Sequence, residues 1–226
     1  MTDFEKMDAW ASLEKDDRMG FIRKVYGILS AQLCLTAVTC AIPMVFPSTV
    51  PFFSNTPLLI TSVVMTIVIM ISLVCFKKLA QTVPINYILL TVFTLFEALL
   101  IGCLTARMDP LIVVQATVIT AALVLGLTAY AMTTKSDFTF LYAFACSISL
   151  AMFTMFIISL FTGFFMKQLY FILGIVLYSI FLIVDTQMIS NNYGLSTEDY
   201  ILGAILLYMD IVMIFLYILQ FLGSSK

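Results

Sequence analysis

Two aspartates stand alone in the last two long apolar runs of the chain: Asp185 in FILGIVLYSIFLIVDTQMI and Asp210 in YILGAILLYMDIVMIFLYILQFLG. A carboxylate at the centre of an inserted helix costs roughly 2.5–3.5 kcal/mol on insertion scales. Groups that costly are kept where they have partners or a task. A third acid, Glu97, lies in NYILLTVFTLFEALLIG. The chain has no histidine. Histidine triads, histidine zinc sites and histidine pH sensors are therefore excluded, and the carboxylates become the natural proton sensor. Two carboxylates brought together in a low-dielectric site cannot both ionise readily. Such a pair can share one proton and act as a pH switch, or bind a hard cation such as Ca²⁺ when it is deprotonated. Asp185 and Asp210 are thus candidates for a pH sensor in an ion path and for transient Ca²⁺ binding. The competing reading makes each acid only a hydrogen-bonding group between helices.

The elements that must hold these groups are membrane helices. Apolar residues make up 62% of the chain and charged residues 11%, against roughly 25% charged in soluble domains. Eleven of the 24 charged residues fall within the first 24 positions. This divides the chain into a polar N-terminal tail, 1–24, expected in the cytosol, and a membrane domain, 25–226. The tail is acidic and lacks a signal-peptide cleavage pattern, so the first apolar run is expected to act as an uncleaved anchor. The five cysteines lie in apolar runs, none as a Cys-x-x-Cys pair, and read as small buried hydrophobes. No basic stripe points to nucleic acid.

A crossing helix needs about 20 apolar residues. Seven runs qualify: 25–45, 57–76, 84–106, 110–132, 138–161, 168–190 and 199–222. The expected fold is an all-α integral membrane protein, a seven-helix bundle in a lipid bilayer. Pro84 and Pro110 are expected at first helical positions. Asp109 is expected to cap the fourth run, Ser136 or Asp137 the fifth, and Ser196-Thr197-Glu198-Asp199 the seventh. Pro43, Pro47, Pro51 and Pro57 mark an irregular connection between the first two runs. With the N-terminus in the cytosol, Lys6, Lys15, Arg18, Arg23, Lys24, Lys77, Lys78 and Lys135 share that side, against Arg107, Lys167 and Lys226 opposite. That asymmetry favours this orientation. The seventh run is expected to cross fully, with a re-entrant hairpin as the alternative.

Asp185 lies about six residues from the cytosolic end of its run and Asp210 about a dozen into the next. At 1.5 Å per residue these depths are roughly 9 and 18 Å, about one and a half turns apart. The sequence therefore leaves their contact open. Glu97 falls near the midplane, with no Lys or Arg inside any run to neutralise it. It is a candidate for the ion path, or a protonated hydrogen-bonding group. The Tyr and Phe residues of the last two runs read as packing.

Five ordered segments carry a resemblance: RMGFIRKVYGILSAQLCLT (18–36), PINYILLTVFTLFEALLIG (84–102), GLTAYAMTTKSDFT (126–139), LIVDTQMI (182–189) and DYILGAILLYMDIVMIFLYILQFLG (199–223). They resemble the BAX inhibitor-1 family, also called the transmembrane BAX inhibitor motif or Lifeguard family. FTLFEAL and YMDI look most like its Golgi anti-apoptotic branch. The resemblance implies seven helices with a central one wrapped by the rest. It implies a pH-tuned Ca²⁺ leak from intracellular stores, in the Golgi or endoplasmic reticulum, and protection from cell death. It implies a di-aspartyl sensor whose positions match Asp185 and Asp210, with Ca²⁺ and H⁺ as permeant or regulatory ions rather than cofactors. It also implies a basic latch at the end of the second helix. Lys77 and Lys78 occupy that place where bacterial relatives carry arginine, and lysine cannot make the same bidentate contact. The short tail Gly223-Ser224-Ser225-Lys226 lacks the long charged tail of some relatives.

A Ca²⁺/H⁺ exchanger would use the same acids. A scaffold for cell-death regulators of the Bcl-2 type is the non-transport alternative. No enzyme is expected. An intramembrane aspartyl protease would need Tyr-Asp, Gly-x-Gly-Asp and Pro-Ala-Leu, but Val184 precedes Asp185 and Leu207-Tyr208-Met209 precede Asp210. Receptor motifs of the Asp-Arg-Tyr and Asn-Pro-x-x-Tyr types are absent, and the seventh run has no lysine for a retinal Schiff base.

Overall fold

A computed structural model describes residues 3–138, 140–162, 166–191 and 195–224, with side chains for all of these except 3–15, 162 and 191. Among the described residues the fold is helical: α1 (Asp3–Val45), a 3₁₀ turn (Pro47–Thr49), α2 (Val50–Phe53), α3 (Thr56–Cys75), α4 (Lys77–Gln81), α5 (Ile85–Thr105), α6 (Pro110–Thr133), α7 (Leu141–Thr162), α8 (Lys167–Asn191) and α9 (Tyr200–Ser224). Seven of them, α1, α3 and α5 to α9, are long and apolar enough to cross a membrane. Their outward faces carry large apolar side chains such as Ile71, Val118, Leu150 and Phe153. In water such a surface would aggregate; in a bilayer it meets acyl chains.

The polar segment and the first apolar run share one helix, since α1 runs unbroken through 43 residues, about 65 Å. Hydropathy registers only the part of a helix that lies in lipid, whereas Glu, Lys, Ala and Met favour helix on either side of that limit. Pro43 sits within α1, and the irregular segment begins only after Val45.

A side-chain cap sets the start of α6. The Asp109 carboxylate accepts the Leu111 amide at 2.9 Å, and Pro110 takes the first helical position, where no N–H is needed. Pro84 instead stands one residue outside α5. Neither Ser136 nor Asp137 begins α7, which starts at Leu141. The Gln187 side chain holds this stretch, accepting the Phe138 amide and donating to the Ser136 carbonyl, both at 2.8 Å. Of the cysteines, Cys40 and Cys103 are buried, but Cys34, Cys75 and Cys146 lie on the outer surface; all five are free. A thiol is apolar enough for lipid, so hydropathy does not tell the two settings apart.

The seventh span is one continuous 25-residue helix, long enough to cross, and not a re-entrant hairpin. It is also the axis of the bundle. α9 packs on α8, α1, α6 and α5, and buries residues on every side, among them Ile205, Tyr208, Asp210 and Ile214. Tyr217 of α9 lies directly against Gly174 of α8. A Cβ built there would lie 2.5 Å from the Tyr217 ring.

The turn before α9 is fixed by Asp199. Its carboxylate accepts the Ser196 amide at 3.0 Å, the Ser196 hydroxyl at 2.7 Å and the Gln81 side-chain amide at 2.9 Å. Burial alone would push its pKa up. The Ser196 hydroxyl and amide, then Gln81 and the nearby Lys77 charge, outweigh that and hold the pKa below the usual aspartate value. A depressed folded-state pKa stabilises above the unfolded value of about 3.9 and is lost as pH falls through the folded value. Asp199→Asn should therefore speed amide exchange in the turn before α9 at pH 7 by about fivefold, for a hydrogen-bonded contact worth about 1 kcal/mol. The difference from the parent should vanish as pH drops below about 3.9. A difference that persists unchanged at lower pH would mean the charge is not what holds the turn.

Candidate functional site

The structure brings Asp185 and Asp210 together. Their carboxyls stand within hydrogen-bonding range, on adjacent antiparallel helices. Gly203 meets Ile189 across this interface, with an added Cβ 3.5 Å from the Ile189 side chain. Counting four residues back from Ile189 and seven on from Gly203 leaves the aspartates three residues out of level, about 4.5 Å. Side-chain direction closes that gap. A helical side chain leans toward its own N-terminus. α8 and α9 run oppositely, so the two carboxyls lean toward each other.

The site is dry and acidic. Asp185 is 6% exposed and Asp210 5%, and Asp210 Oδ2 is buried without a protein partner. Tyr178 on α8 lies near Asp210, and Tyr142 at the start of α7 lies near both acids. Only a proton, or a cation, can turn two facing carboxylates into an attractive contact. Among the described residues no three Cys, Asp or Glu side chains gather as a metal-binding group. The pair has the ligand types for a hard cation but too few of them for a closed site.

Three consecutive residues of α8 anchor the pair. Asp185 meets α9, Thr186 faces Tyr26 of α1 without completing a hydrogen bond, and Gln187 grips the segment before α7. Successive positions on a helix differ by about 100°, so three neighbours can reach three different elements. The sequence reading passed over Thr186 and Gln187. Polar side chains following an intramembrane acid were the available signal.

The Lys77 charge lies near Asp199, at the head of α9. Lys78 belongs to the same short helix, α4.

Glu97 on α5 is 3% exposed, and its Oε2 atom has no protein partner. Thr66 of α3 lies beside it without completing a hydrogen bond. Tyr208 of α9 is also close. That tyrosine is not simply packing. It meets Phe93 edge-on at 6.0 Å, and its hydroxyl lies 2.8 Å from the Thr36 hydroxyl. Thr36 donates its own proton to the Gln32 carbonyl at 2.9 Å, so the Tyr208 phenol is the donor of that pair. Tyr170, Tyr178 and Tyr217 do pack, as expected, with ring centres about 6 Å apart.

Residues 18–226 match the family described as Inhibitor of apoptosis-promoting Bax1. The chain is 35% identical to Protein lifeguard 4 of Mus musculus, covering 98% of this chain and 92% of that one. It is 33% identical to the Golgi anti-apoptotic protein of Vaccinia virus (strain Lister), covering 99% and 93%. Protein lifeguard 3 of Homo sapiens is 32% identical over 97% of this chain and 74% of its own length. With a match that reaches from Arg18 through the aspartate pair to the last residue, the chain belongs to the family of Bax1 inhibitors and Lifeguard proteins.

Proposed function

We propose that this protein is a pH-modulated Ca²⁺ leak pathway of Golgi or endoplasmic reticulum membranes that acts against apoptosis. The observation that carries the reading is the buried Asp185–Asp210 contact between the two most closely associated spans. With one proton shared, the two carboxyls hold α8 to α9. Loss of that proton leaves two like charges in a low-dielectric site, where repulsion is strong unless a cation enters. Proton loss and cation entry at one place give a leak tuned by pH. The cellular setting and the role in cell death are drawn from relatives named as Lifeguard and Golgi anti-apoptotic proteins.

Purified protein in Ca²⁺-loaded liposomes tests the reading. Passive Ca²⁺ efflux that changes between pH 5 and 8 is the expected result. Efflux that requires an opposing proton gradient would make the protein an exchanger. No flux at any of these pH values would leave a scaffold for Bcl-2-type regulators.

A further inference from the structure

On the other side of α9 from the aspartate pair lies a second polar niche. Tyr208 and Asp210 are two residues apart, about 200° around the helix, so they face nearly opposite ways. Asp210 faces α8. Tyr208 faces Thr36 of α1 and Phe93 and Glu97 of α5.

The niche is lined by oxygens that the protein leaves without partners. Ser62 is 0% exposed and Thr66 5%, one turn apart on the buried stripe of α3, the stripe that packs against α5. Neither hydroxyl has a hydrogen bond, and neither does Glu97 Oε2. Gln32 donates to Thr94, one turn from Glu97 on α5, while its own carbonyl oxygen is also unpartnered. This is not the default for hydroxyls in a membrane helix, which donate to the carbonyl four residues back. Ser72 on α3 does so to Val68, and Thr36, Thr94, Thr117 and Ser179 do so on other spans. Ser62 and Thr66 give up that bond: Thr66 lies beside the Glu97 carboxylate, and Ser62 stands one turn away on the same buried stripe.

No lysine, arginine or histidine occurs between positions 25 and 76 or between 79 and 106, so no side chain of α3 or α5 neutralises Glu97. An ionised acid and the two neutral hydroxyl oxygens of Ser62 and Thr66 make an oxygen-only ligand set, the kind preferred by hard cations. One formal charge makes binding weak. Weak binding is what conduction requires, since an ion must leave as readily as it enters.

We propose that Glu97, Thr66 and Ser62 form a second cation station, distinct from the aspartate pair, that holds a partly hydrated Ca²⁺ in transit. This rests on the leak reading for its role in transport, but not for its ability to bind.

Two measurements on the full chain separate those failures: ⁴⁵Ca²⁺ equilibrium binding in nanodiscs, and Ca²⁺ efflux from liposomes. Glu97→Gln, and the double change Ser62→Ala with Thr66→Val, should each remove one class of bound Ca²⁺. Each should also lower efflux at least fivefold, with the shape of the pH response kept. Asp185→Asn with Asp210→Asn should leave that class of binding in place. If the parent shows no efflux yet Glu97→Gln still loses the binding that the aspartate variant keeps, the leak reading fails and the station stands. Parental binding and efflux in the hydroxyl double variant would overturn the station and leave Ser62 and Thr66 as packing groups. Should Thr66→Val fail to insert, Ser62→Ala must lower efflux and Thr66→Ser must preserve it; the opposite pattern overturns the proposal equally.

Discussion

Replacing Asp185 by Asn, or Asp210 by Asn, is expected to flatten the pH dependence of Ca²⁺ efflux as far as replacing both. Each change removes one ionisable group and nearly keeps the side-chain shape. The carboxyls face each other inside a dry contact, so a proton held between them would belong to the pair and not to either residue. Once one acid is gone there is no like charge left to relieve, and the second replacement has little further to do. Efflux across pH 5 to 8, at equal protein in the membrane, reads the result directly. Additive effects of the two single changes would show two independent acids. A parental pH curve in both would reduce the aspartates to structural hydrogen-bonding groups.

Gly174→Ala is expected to destabilise the bundle by about 1–3 kcal/mol, the usual cost of overpacking a tight contact. The added methyl would lie 2.5 Å from the Tyr217 ring. That ring cannot move aside easily, since its centre lies 6.0 Å from that of Tyr170 and 5.8 Å from that of Tyr178. The strain falls on the α8–α9 interface that also aligns the aspartates, so the melting temperature in detergent should drop. Gly126→Ala is the matched control. Nothing lies within 4 Å of a Cβ there, and exchanging glycine for alanine in a helix gains roughly 0.5–1 kcal/mol. Equal melting temperatures for the two variants would show that α8 and α9 are not in close contact at Gly174. Adding Tyr217→Leu to Gly174→Ala should recover part of the loss by making room.

The spans were legible because a bilayer imposes a length. The apolar run expected over 110–132 is the helix Pro110–Thr133, and the run over 57–76 is Thr56–Cys75. Asp109 was legible as a cap because the Asp-Pro pair satisfies two local rules at once. The meeting of Asp185 and Asp210 was not. A rise of 1.5 Å per residue measures backbone depth, whereas side chains leaning in opposite senses settle the contact. The same limit hid the surroundings of Glu97. Ser62 and Thr66 look like ordinary hydroxyls of an apolar helix, and only three-dimensional packing shows that neither takes its local carbonyl. The neighbourhood of Lys77 was equally hidden: its charge lies near Asp199, to which Gln81 of the same short helix donates a hydrogen bond.

The central helix has one more consequence. Glu97 and the aspartate pair lie on opposite sides of the same rigid rod, the first near Tyr208 and the second at Asp210. A turn of α9 about its own axis therefore cannot alter one contact and spare the other. By thermodynamic linkage, if protonation of the pair changes cation affinity at Glu97 by some factor, cation binding there changes proton affinity at the pair by the same factor. A pH response kept in Glu97→Gln, as expected above, would set that factor close to one: two sites on one rod, each reading its own ion.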